Sequence, residues 1–525
     1  MAASGTDRGQ MRAWIVLSCF ALLAGCAGCE GDSPRATTQE EETAEGEPVD
    51  DTLRITVDAR AEGRPISPYV YGINGLADLE ALGPYTKLIR FGGNRTSNYN
   101  WRANASNSGA DPPGHQNDAY LSAREEPGGA VLDVLDAAQA RGAAALITVP
   151  MLGHVAADRD ADGDVAQTPE YLETRFRRSV ARSQGGACEE GAVCQDEYVR
   201  FVREAAEERG VTVFFALDNE PSSWTVTHPR LRSEALTYAE LIDTSREYAA
   251  MIRDEAPGAK IFGPVSFGWP AMTRLTGASD ARGRHFIRTY LRSLRGRVDV
   301  LDVHWYPDVR ADGVSVTEDT EDDAVARLRM QVPRSLHDPT YLEPSWIVED
   351  DLRGSVKLLD RLQTWIDGSA PGAEIAITEW AYGGAAHPSG AVAVADALGA
   401  MATRGVLAAC YWPLTNQAHD HAFAALRLYA DFGPEAIDAA SSDLSQVGVW
   451  GSRDGEALVL VIIGRADEAL DVELRVEGMD AARILRRVID GAPEARDAPA
   501  LTMGGGRVTV PVPARSVSLL RLEPA

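Results

Sequence analysis

Two glutamates lie at the ends of short apolar runs of the kind that form buried parallel strands. Glu220 ends the run that starts at Val213 and is followed by Pro221, and Glu379 lies near the end of the run Glu374–Trp380. Carboxyl groups at the carboxyl ends of parallel strands meet at the mouth of a barrel. Two carboxyls about 5–5.5 Å apart can hydrolyse a glycosidic bond with retention, because one donates a proton while the other attacks the anomeric carbon. The spacing therefore predicts a two-glutamate glycosidase.

The elements that must bring these glutamates together are eight strand-like runs, most of them separated by helical patterns such as Gly129–Gly142. The runs are Val70–Gly75, Lys87–Gly93, Ala144–Pro150, Val213–Glu220, Lys260–Ser266, Val298–Tyr306, Glu374–Trp380 and Leu407–Leu414. Strand–helix alternation repeated eight times predicts an α/β fold, a (β/α)8 TIM barrel over residues 69–430. The ends of its fourth and seventh strands face each other across the mouth, which would place Glu220 beside Glu379.

Beyond Asp431 the pattern changes to short strands separated by turn residues. These strands are Gln446–Gly451, Ala457–Gly464, Leu470–Val476, Arg507–Val512 and Ser516–Leu522. They predict a second, smaller domain over residues 431–525, an all-β sandwich. Residues 52–68 contain one more alternating strand, Leu53–Val57, which we expect to join this sandwich.

Several longer motifs occur on the predicted barrel strands and in the loops beside them. They are Ile89–Trp101 continued by Asn104 and Asn107–Gly109, Leu217–Pro221 with Trp224 and Thr227–Pro229, Lys260–Val265, Leu301–Pro307, Ile377–Trp380 and Asp420–Ala425. Together they resemble glycoside hydrolase family 44, from about Thr52 to the C-terminus. The resemblance implies an endo-acting β-1,4-glucanase, often active on xyloglucan, that combines a barrel with a β-sandwich and retains the anomeric configuration.

The same resemblance implies that Glu220 is the acid/base and Glu379 the nucleophile, with no cofactor required for the chemistry. Trp380 departs from the tyrosine expected after the nucleophile, which bears on the neighbouring sugar subsite rather than on the chemistry. Two alternatives stay open. One is a barrel hydrolase that uses the same glutamates on xylan or mannan, and the other is a non-catalytic surface glycan-binding protein that kept the fold.

Polar residues near the strand ends are further candidates for substrate binding. Asn219 could donate a hydrogen bond to the sugar 2-hydroxyl, a contact that strengthens in the transition state. Arg90 and Asn94 could orient the nucleophile or line the cleft, and Arg90 could equally be a buried structural partner of Glu379. His304 could bind the nucleophile or the substrate, or it could be a satisfied structural histidine.

Flat aromatic rings near strand ends suit the C–H faces of sugars. The candidates are Trp101, Tyr306, Trp380 and Trp412. For each ring, packing in the core is the competing interpretation.

The segment Asp158–Asp164 imitates the start of a calcium loop, with alternating oxygen ligands followed by Gly163 for the turn. Pro169 stands where such a loop places its bidentate glutamate. A structural calcium ion is therefore one interpretation, and a solvated acidic loop is the other. The candidate ligands are Asp158, Asp160, Asp162 and Asp164.

The N-terminus has the features of a bacterial export signal. Arg8 and Arg12 precede an apolar run of eleven residues, Ala13–Leu23, which is too short to span a bilayer and fits a signal peptide over residues 1–25. Leu23–Cys26 resembles a lipoprotein box, so Cys26 is the predicted lipidation site, with an ordinary secretory leader as the alternative. We expect a lipoprotein at the outer membrane or cell surface. Met11 could equally be the start.

Residues 26–51 are acidic and poor in large apolar groups, which predicts an extended disordered tether. The whole chain has 51 basic and 78 acidic residues and a net charge of −27. This balance argues against nucleic acid and against an anionic membrane surface, so that the membrane is expected only through the lipid anchor. A neutral polysaccharide fits this charge, and we expect a monomer.

The cysteines of the body have two predicted roles. Cys188 and Cys194 enclose a short loop that an exported protein could close with a disulfide, the alternative being two free thiols. Cys410 lies in an apolar run and is expected to be a small core residue.

Overall fold

The computed structural model describes residues 52–413 and 418–524. The predicted signal peptide 1–25 and tether 26–51, with the lipidation site Cys26, lie outside the described residues. Within those two ranges, no helix combines the length and the apolar character that crossing a membrane requires.

Eight parallel strands close into a barrel, in the order predicted from the sequence. They are Gly72–Asn74, Leu88–Phe91, Ala144–Val149, Val213–Leu217, Ile261–Phe267, Val300–Trp305, Glu374–Trp380 and Val406–Tyr411. The strand ends differ from the prediction by no more than three residues. Side chains that point inward form a separate apolar core inside the barrel, and the free thiol of Cys410 is buried among them, as expected.

A helix follows each barrel strand and packs outside it. These helices are Leu79–Leu82, Gly129–Arg141, Gln195–Arg209, Tyr238–Glu255, Phe286–Ser293, Leu358–Asp367, Pro388–Thr403 and Asp420–Leu428. Their ends follow local sequence signals. The Thr237 hydroxyl accepts a hydrogen bond from the Glu240 N–H at one N-terminus, and Gly142 takes the left-handed conformation (φ 58°) that ends another helix.

The long connections lie at the carboxyl ends of the strands. They contain short helices (Tyr171–Thr174, Trp224–Thr227, Gly268–Thr273 and Asp323–Gln331), a π-helical turn (Ile347–Leu352) and 3-10 turns such as Asn94–Asn98 and Pro221–Ser223. They also contain small sheets built from Ser106–Asn107 with Asn117–Asp118, from His154–Ala156, Phe176–Val180 and Ala192–Cys194, and from Arg310–Ala311 with Val314–Ser315. Turns at the opposite end are short. The mouth therefore carries the variable structure in which barrel enzymes place their sites.

The second sheet has eleven strands and contains the early strand Arg54–Asp58, which pairs with Leu470–Glu477 and Ala439–Ser441. The other strands are Arg64–Pro65, Glu435–Ile437, Val447–Asp454, Ala457–Gly464, Ala481–Ile489, Arg496–Gly504, Arg507–Val512 and Ser516–Pro524. Side chains from both halves of the sheet share one apolar core, which makes it a sandwich. The hairpin of Ala481–Ile489 with Arg496–Gly504 was not predicted, because arginines and partly exposed polar positions interrupt its apolar alternation.

Barrel and sandwich meet at the helix Pro388–Thr403, which follows the strand that carries Glu379. Every residue from Ser389 to Thr403 is buried, as expected for a helix that is apolar on all sides. Strand Ala457–Gly464 turns alternate side chains toward the barrel and toward the sandwich core. Gly399 lets the sheet approach, since a Cβ there would lie 2.2 Å from the Trp450 ring.

A buried charge pair fastens this interface. Arg465 of the sandwich donates to the Asp396 carboxylate of the helix at 2.5 Å, and the Trp450 indole donates to the other oxygen of that carboxylate at 3.0 Å. Arg465 also donates to the carbonyl oxygens of Met330 and Leu444. Both charged side chains are fully buried, so each depends on the other for compensation.

Substituting Asp396→Ala should therefore lower the free energy of unfolding by about 3–5 kcal/mol, because Arg465 keeps its charge in a buried site without a counterion. The measurement is chemical denaturation followed by fluorescence. Asp243→Ala is the matched control, since it removes an exposed ion pair with Arg246 on a helix surface and should cost less than about 1 kcal/mol. Equal effects of the two substitutions would contradict this account.

Candidate active site

The two glutamates reach the mouth by different routes. Glu379 lies within the seventh strand, whereas Glu220 lies three residues beyond the end of the fourth strand. The backbone of Asp218 (φ 65°) and Glu220 (φ 45°) is left-handed, a conformation that non-glycine residues adopt at a cost. The strand therefore ends in a strained turn that directs the Glu220 side chain across the mouth.

Asp218 holds this turn in place. Its carboxylate accepts hydrogen bonds from the Ser97 hydroxyl at 2.5 Å, from the Asn219 N–H at 2.6 Å and from the Met151 N–H. Burial raises the pKa of Asp218 to about 6, and these donors act in the opposite direction. The ends of the second, third and fourth strands are thus joined through one buried carboxyl.

The carboxyl groups of Glu220 and Glu379 face each other. Both are buried, with 9% and 6% of their surface exposed, and their nearest oxygens lie within 4.8 Å. That separation fits a retaining pair and leaves too little room for a water molecule between the carboxyl groups and the sugar, as inversion would require.

Arg90, on the second strand, lies beneath the nucleophile candidate and is fully buried. One guanidinium nitrogen donates to the Glu379 Oε1 at 2.6 Å and to the Asn74 Oδ1 at 2.8 Å, and the other donates to the Asn219 Oδ1 at 2.6 Å. Arg90 is therefore both the buried partner of Glu379 and the group that orients it. We call this arrangement of Arg90, Glu379, Asn219 and Asn74 the arginine fork.

The two glycines after this strand make room for the fork. A Cβ on Gly92 would lie 2.3 Å from the guanidinium carbon of Arg90. Gly93 has a φ of 94°, its N–H donates to the Asn219 Oδ1 at 3.2 Å, and a Cβ there would lie 2.7 Å from the Trp412 ring. The glycine pair is thus required by side-chain packing at Gly92 and by both conformation and packing at Gly93.

The sixth strand supplies the two remaining contacts. The Tyr306 hydroxyl donates to the Glu379 Oε2 at 2.9 Å. Nδ1 of the fully buried His304 lies 2.5 Å from the Glu220 Oε1 and 3.4 Å from the Glu379 Oε2. Tyr306 was predicted as a sugar platform, and its hydroxyl contact with the nucleophile candidate was not foreseen. His304 bonds chiefly to the other glutamate, Glu220.

Electrostatics separates the pKa values of the two carboxyl groups. Burial and then the charge of Glu379 raise the pKa of Glu220 well above its usual range. Burial also raises the pKa of Glu379, but the Arg90 charge and the hydrogen bonds from Arg90 and Tyr306 act against it. A pair this close shares one proton, and the arginine fork directs that proton to Glu220. These contacts favour a protonated Glu220 next to an ionised Glu379.

Asn219 and Asn94 lie side by side beyond the fork. The Asn219 amide nitrogen lies 3.4 Å from the Asn94 Oδ1, and the Asn94 amide nitrogen donates to both oxygens of Asp111 at 3.2 Å. Asn94 is half-buried at the mouth. Asp111 was not singled out from the sequence, because its loop carries no strand pattern.

Among the predicted sugar platforms, Trp412 lies half-buried against Gly93 at the mouth. Trp101 and Trp380 make the packing contacts of the competing interpretation. The Trp101 ring stacks on Tyr198 and Phe201 of an outer helix, with centroids 6.2 and 5.3 Å apart. Trp380 is fully buried and packs against Tyr382 and Tyr411. Trp101 is half-buried against that helix, whereas Trp380 is part of the core.

The candidate calcium ligands Asp158, Asp160, Asp162 and Asp164 lie in a loop where three of the four carboxylates pair with arginines. The Arg175 guanidinium donates to both oxygens of Asp158 and of Asp162, and Arg230 donates to both oxygens of Asp164. Within residues 52–413 and 418–524, this loop does not gather three acidic side chains around one point. Arginines therefore neutralise the carboxylates that a cation would need.

Cys188 and Cys194 are joined in a disulfide with a Cα–Cα distance of 5.7 Å. It closes the loop before the helix Gln195–Arg209, on the same side of the barrel as the acidic loop.

Three residues that support the site were not singled out individually from the sequence: Asn74, Asp302 and Thr378. Asn74 accepts from Arg90 and donates to the carbonyl of Thr378 at 2.9 Å. Asp302 is fully buried and accepts from the Thr378 hydroxyl. A polar residue inside an otherwise apolar strand run is the signal that could have identified the last two.

Substituting Gly92→Ala should lower kcat/KM by about a hundredfold or more, because the new Cβ displaces the guanidinium that aligns Glu379. The measurement is steady-state kinetics on a soluble substrate, with circular dichroism to verify the fold. Gly258→Ala is the control, since no atom lies within 4 Å of a Cβ there. Wild-type kinetics in Gly92→Ala would contradict the role given to the fork.

Comparison with known proteins agrees with this geometry. The model of glycoside hydrolase family 44 matches residues 94–309. "Endoglucanase A" of Paenibacillus lautus is 33% identical over 471 residues, covering 81% of this chain and 66% of that protein. "Beta-mannanase/endoglucanase A" of Caldicellulosiruptor saccharolyticus is 31% identical over 476 residues, covering 81% of this chain and 35% of that protein. This chain thus spans less than two thirds of either relative.

Among solved structures, a family 44 xyloglucanase of Paenibacillus polymyxa, solved with xyloglucan, superposes with a TM-score of 0.84 at 29% identity. The match covers 90% of this chain and all of that one. Barrel, sandwich, paired glutamates and sequence similarity therefore agree, and this chain belongs to glycoside hydrolase family 44.

Proposed function

We propose that this protein is a retaining, endo-acting glycoside hydrolase that cleaves internal β-1,4-glucosidic bonds of plant glucans. The observation that carries the proposal is the arginine fork. It holds Glu379 ionised within 4.8 Å of a protonated Glu220, the arrangement that a double displacement needs.

In the first step, Glu220 donates its proton to the glycosidic oxygen while Glu379 attacks the anomeric carbon. The leaving sugar departs as an alcohol, and a glycosyl ester forms on Glu379. Arg90 and Tyr306 hold the two oxygens of Glu379, which fixes the direction of attack. The Asn219 amide nitrogen is placed to donate to the 2-hydroxyl of the same sugar.

In the second step, the ionised Glu220 takes a proton from a water molecule, which attacks the anomeric carbon from the side that the leaving group vacated. The ester bond breaks, Glu379 leaves as a carboxylate, and Glu220 is again protonated. Two inversions at one carbon give net retention.

The substrate class follows from the relatives and from the character of the site. One relative is an endoglucanase, one is named for both mannan and glucan, and a solved neighbour is a xyloglucanase. The net charge of −27 suits a neutral polymer. We therefore place cellulose-type glucan and xyloglucan first and mannan or xylan second.

We further propose that the enzyme acts outside the cytoplasm. The Cys188–Cys194 disulfide supports this location, because such bonds persist in oxidising compartments. The lipid anchor at Cys26 and the monomeric state are parts of the same proposal. Mass spectrometry of the purified mature N-terminus would test the anchor, and sedimentation would test the oligomeric state.

Activity should be measured as reducing ends released from xyloglucan, carboxymethylcellulose, xylan and mannan. Glu220→Gln and Glu379→Gln should each lower kcat on the polymers by about a thousandfold or more, since each removes one half of the displacement. An aryl glycoside whose leaving group needs no proton separates the roles, because Glu220→Gln should still release the aryl group in a first turnover and Glu379→Gln should not. Unchanged activity in either variant would refute the mechanism, and a folded but inactive wild type would favour the glycan-binding alternative.

The pH dependence of kcat/KM should be bell-shaped. Activity should fall as the pH drops through the pKa of Glu379, and it should fall again as the pH rises through the pKa of Glu220. Because burial and the charge of Glu379 raise the pKa of Glu220, the alkaline limb should lie well above the usual value for a glutamate, about 4.3. An alkaline limb near that usual value would show that Glu220 is not the acid.

Substituting Trp412→Ala should raise KM for the polymers by about five- to tenfold, since a stacked ring contributes about 1 kcal/mol. The kcat on a short aryl glycoside should change less. Trp101→Phe is the control, because that ring packs against an outer helix and its loss should affect thermal stability rather than KM. Equal KM values for wild type and Trp412→Ala would remove Trp412 from the substrate site.

A further inference from the structure

A chain of four buried polar groups runs from the interior of the barrel to the acid/base. The Thr378 hydroxyl oxygen lies 2.8 Å from both carboxyl oxygens of Asp302 and 3.3 Å from Nε2 of His304. Nδ1 of His304 in turn lies 2.5 Å from Glu220. Asp302, Thr378 and His304 are all fully buried, so the directions of these hydrogen bonds are set by the groups themselves.

The number of donors and acceptors on each group gives this hydrogen-bond chain a direction. A threonine hydroxyl has one hydrogen, an ionised carboxylate has none, and a neutral imidazole has one N–H and one acceptor nitrogen. With Asp302 ionised, the Thr378 hydroxyl must donate to it, so that only a lone pair faces His304. Nε2 of His304 must then carry the ring hydrogen, and Nδ1 becomes an acceptor.

The acceptor nitrogen faces Glu220, so the short contact between them needs a hydrogen from the glutamate. We propose that Asp302 and Thr378 are positioning residues that fix His304 in its Nε2–H tautomer, so that Nδ1 accepts the catalytic proton of Glu220 and holds it in place. The glycosidic oxygen takes that proton when the substrate is bound. This inference rests on the proposed acid/base role of Glu220.

Charges around the ring are consistent with this arrangement. Burial and the Arg90 charge lower the pKa of His304 well below its usual value, which favours the neutral ring. Burial raises the pKa of Asp302 to about 7, while Arg90 acts in the opposite direction. The titratable and charged groups in or beside this hydrogen-bond chain are Glu220, Glu379, Arg90, Asp302, Tyr306 and Asp111.

Reversal of this hydrogen-bond chain would make Glu220 lose its proton at lower pH. If Asp302 carried a proton, its O–H could donate to Thr378, whose own hydrogen would then turn to Nε2. His304 would carry its hydrogen on Nδ1 and donate it to Glu220. A donor at that position stabilises the carboxylate and lowers the pKa of Glu220. The ionised state of Asp302 therefore decides whether the acid keeps its proton.

Three variants of the full chain test this inference through the alkaline limb of kcat/KM. Thr378→Val removes the hydroxyl, and Asp302→Asn supplies an amide that donates to Thr378 and reverses the chain. Each should move the alkaline limb toward lower pH by about one unit or more, since a hydrogen bond to a charged group changes a pKa by about that amount. Thr378→Ser keeps the hydroxyl and should leave the limb in its wild-type position. An unshifted limb in both folded variants, or an equal shift in Thr378→Ser, would overturn the proposal.

A second measurement needs no substrate and so separates this inference from the proposed function. Nitrogen-15 NMR of histidine-labelled full chain reports the tautomer of each ring, and His304→Gln identifies the signal of His304. At about pH 8, where Asp302 is ionised, wild type should show the Nε2–H tautomer and Asp302→Asn the Nδ1–H tautomer. A wild-type ring with its hydrogen on Nδ1 would overturn the proposal even if both glutamates prove catalytic. If the glutamates prove non-catalytic and the tautomer is as expected, only the proposed function fails.

Discussion

The buried charge of Arg90 is the constraint on which the rest of the active site depends. A guanidinium without contact with solvent needs partners that compensate its charge, and removing one partner of a buried ion pair typically costs about 3–5 kcal/mol. Here the pairing comes from Glu379, Asn219 and Asn74, which lie on or just beyond three other barrel strands. The same contacts that pair the two terminal guanidinium nitrogens also orient Glu379 and favour its ionised form. Stability and chemistry therefore select the same geometry.

This geometry needs a rigid frame, which the second domain helps to provide. Glu379 lies on the seventh strand, and the helix after that strand is enclosed between barrel and sandwich and fastened by Asp396 and Arg465. On the opposite side of the site, Asp218 holds the strained turn that carries Glu220. The two carboxyls are thus positioned by separate anchors, one at the domain interface and one within the barrel mouth.

Much of the fold could be predicted from the sequence, because its signals are local. Each barrel strand is a short apolar run bounded by breakers. A parallel strand is buried on both faces, so its sequence shows this pattern. The hairpin of Ala481–Ile489 with Arg496–Gly504 escaped prediction, since one of its strands is largely exposed and carries no strict alternation. Around the site, the residue types at the strand ends identified Glu220 and Glu379, whereas the direction in which Trp101 and Trp380 point did not follow from their place in a motif.

By itself the sequence determined which carboxyls stand at the strand ends and that eight strand–helix units would close around them, since both follow from short-range patterns. Only the tertiary structure decided which groups those carboxyls meet. Arg90 and Glu379 are separated by 289 positions, and Asp302 and Thr378 by 76. Contacts of this kind depend on barrel closure and on the face to which each strand residue points. Whether a buried polar side chain supports catalysis or only the fold is therefore fixed by packing, which no local pattern records.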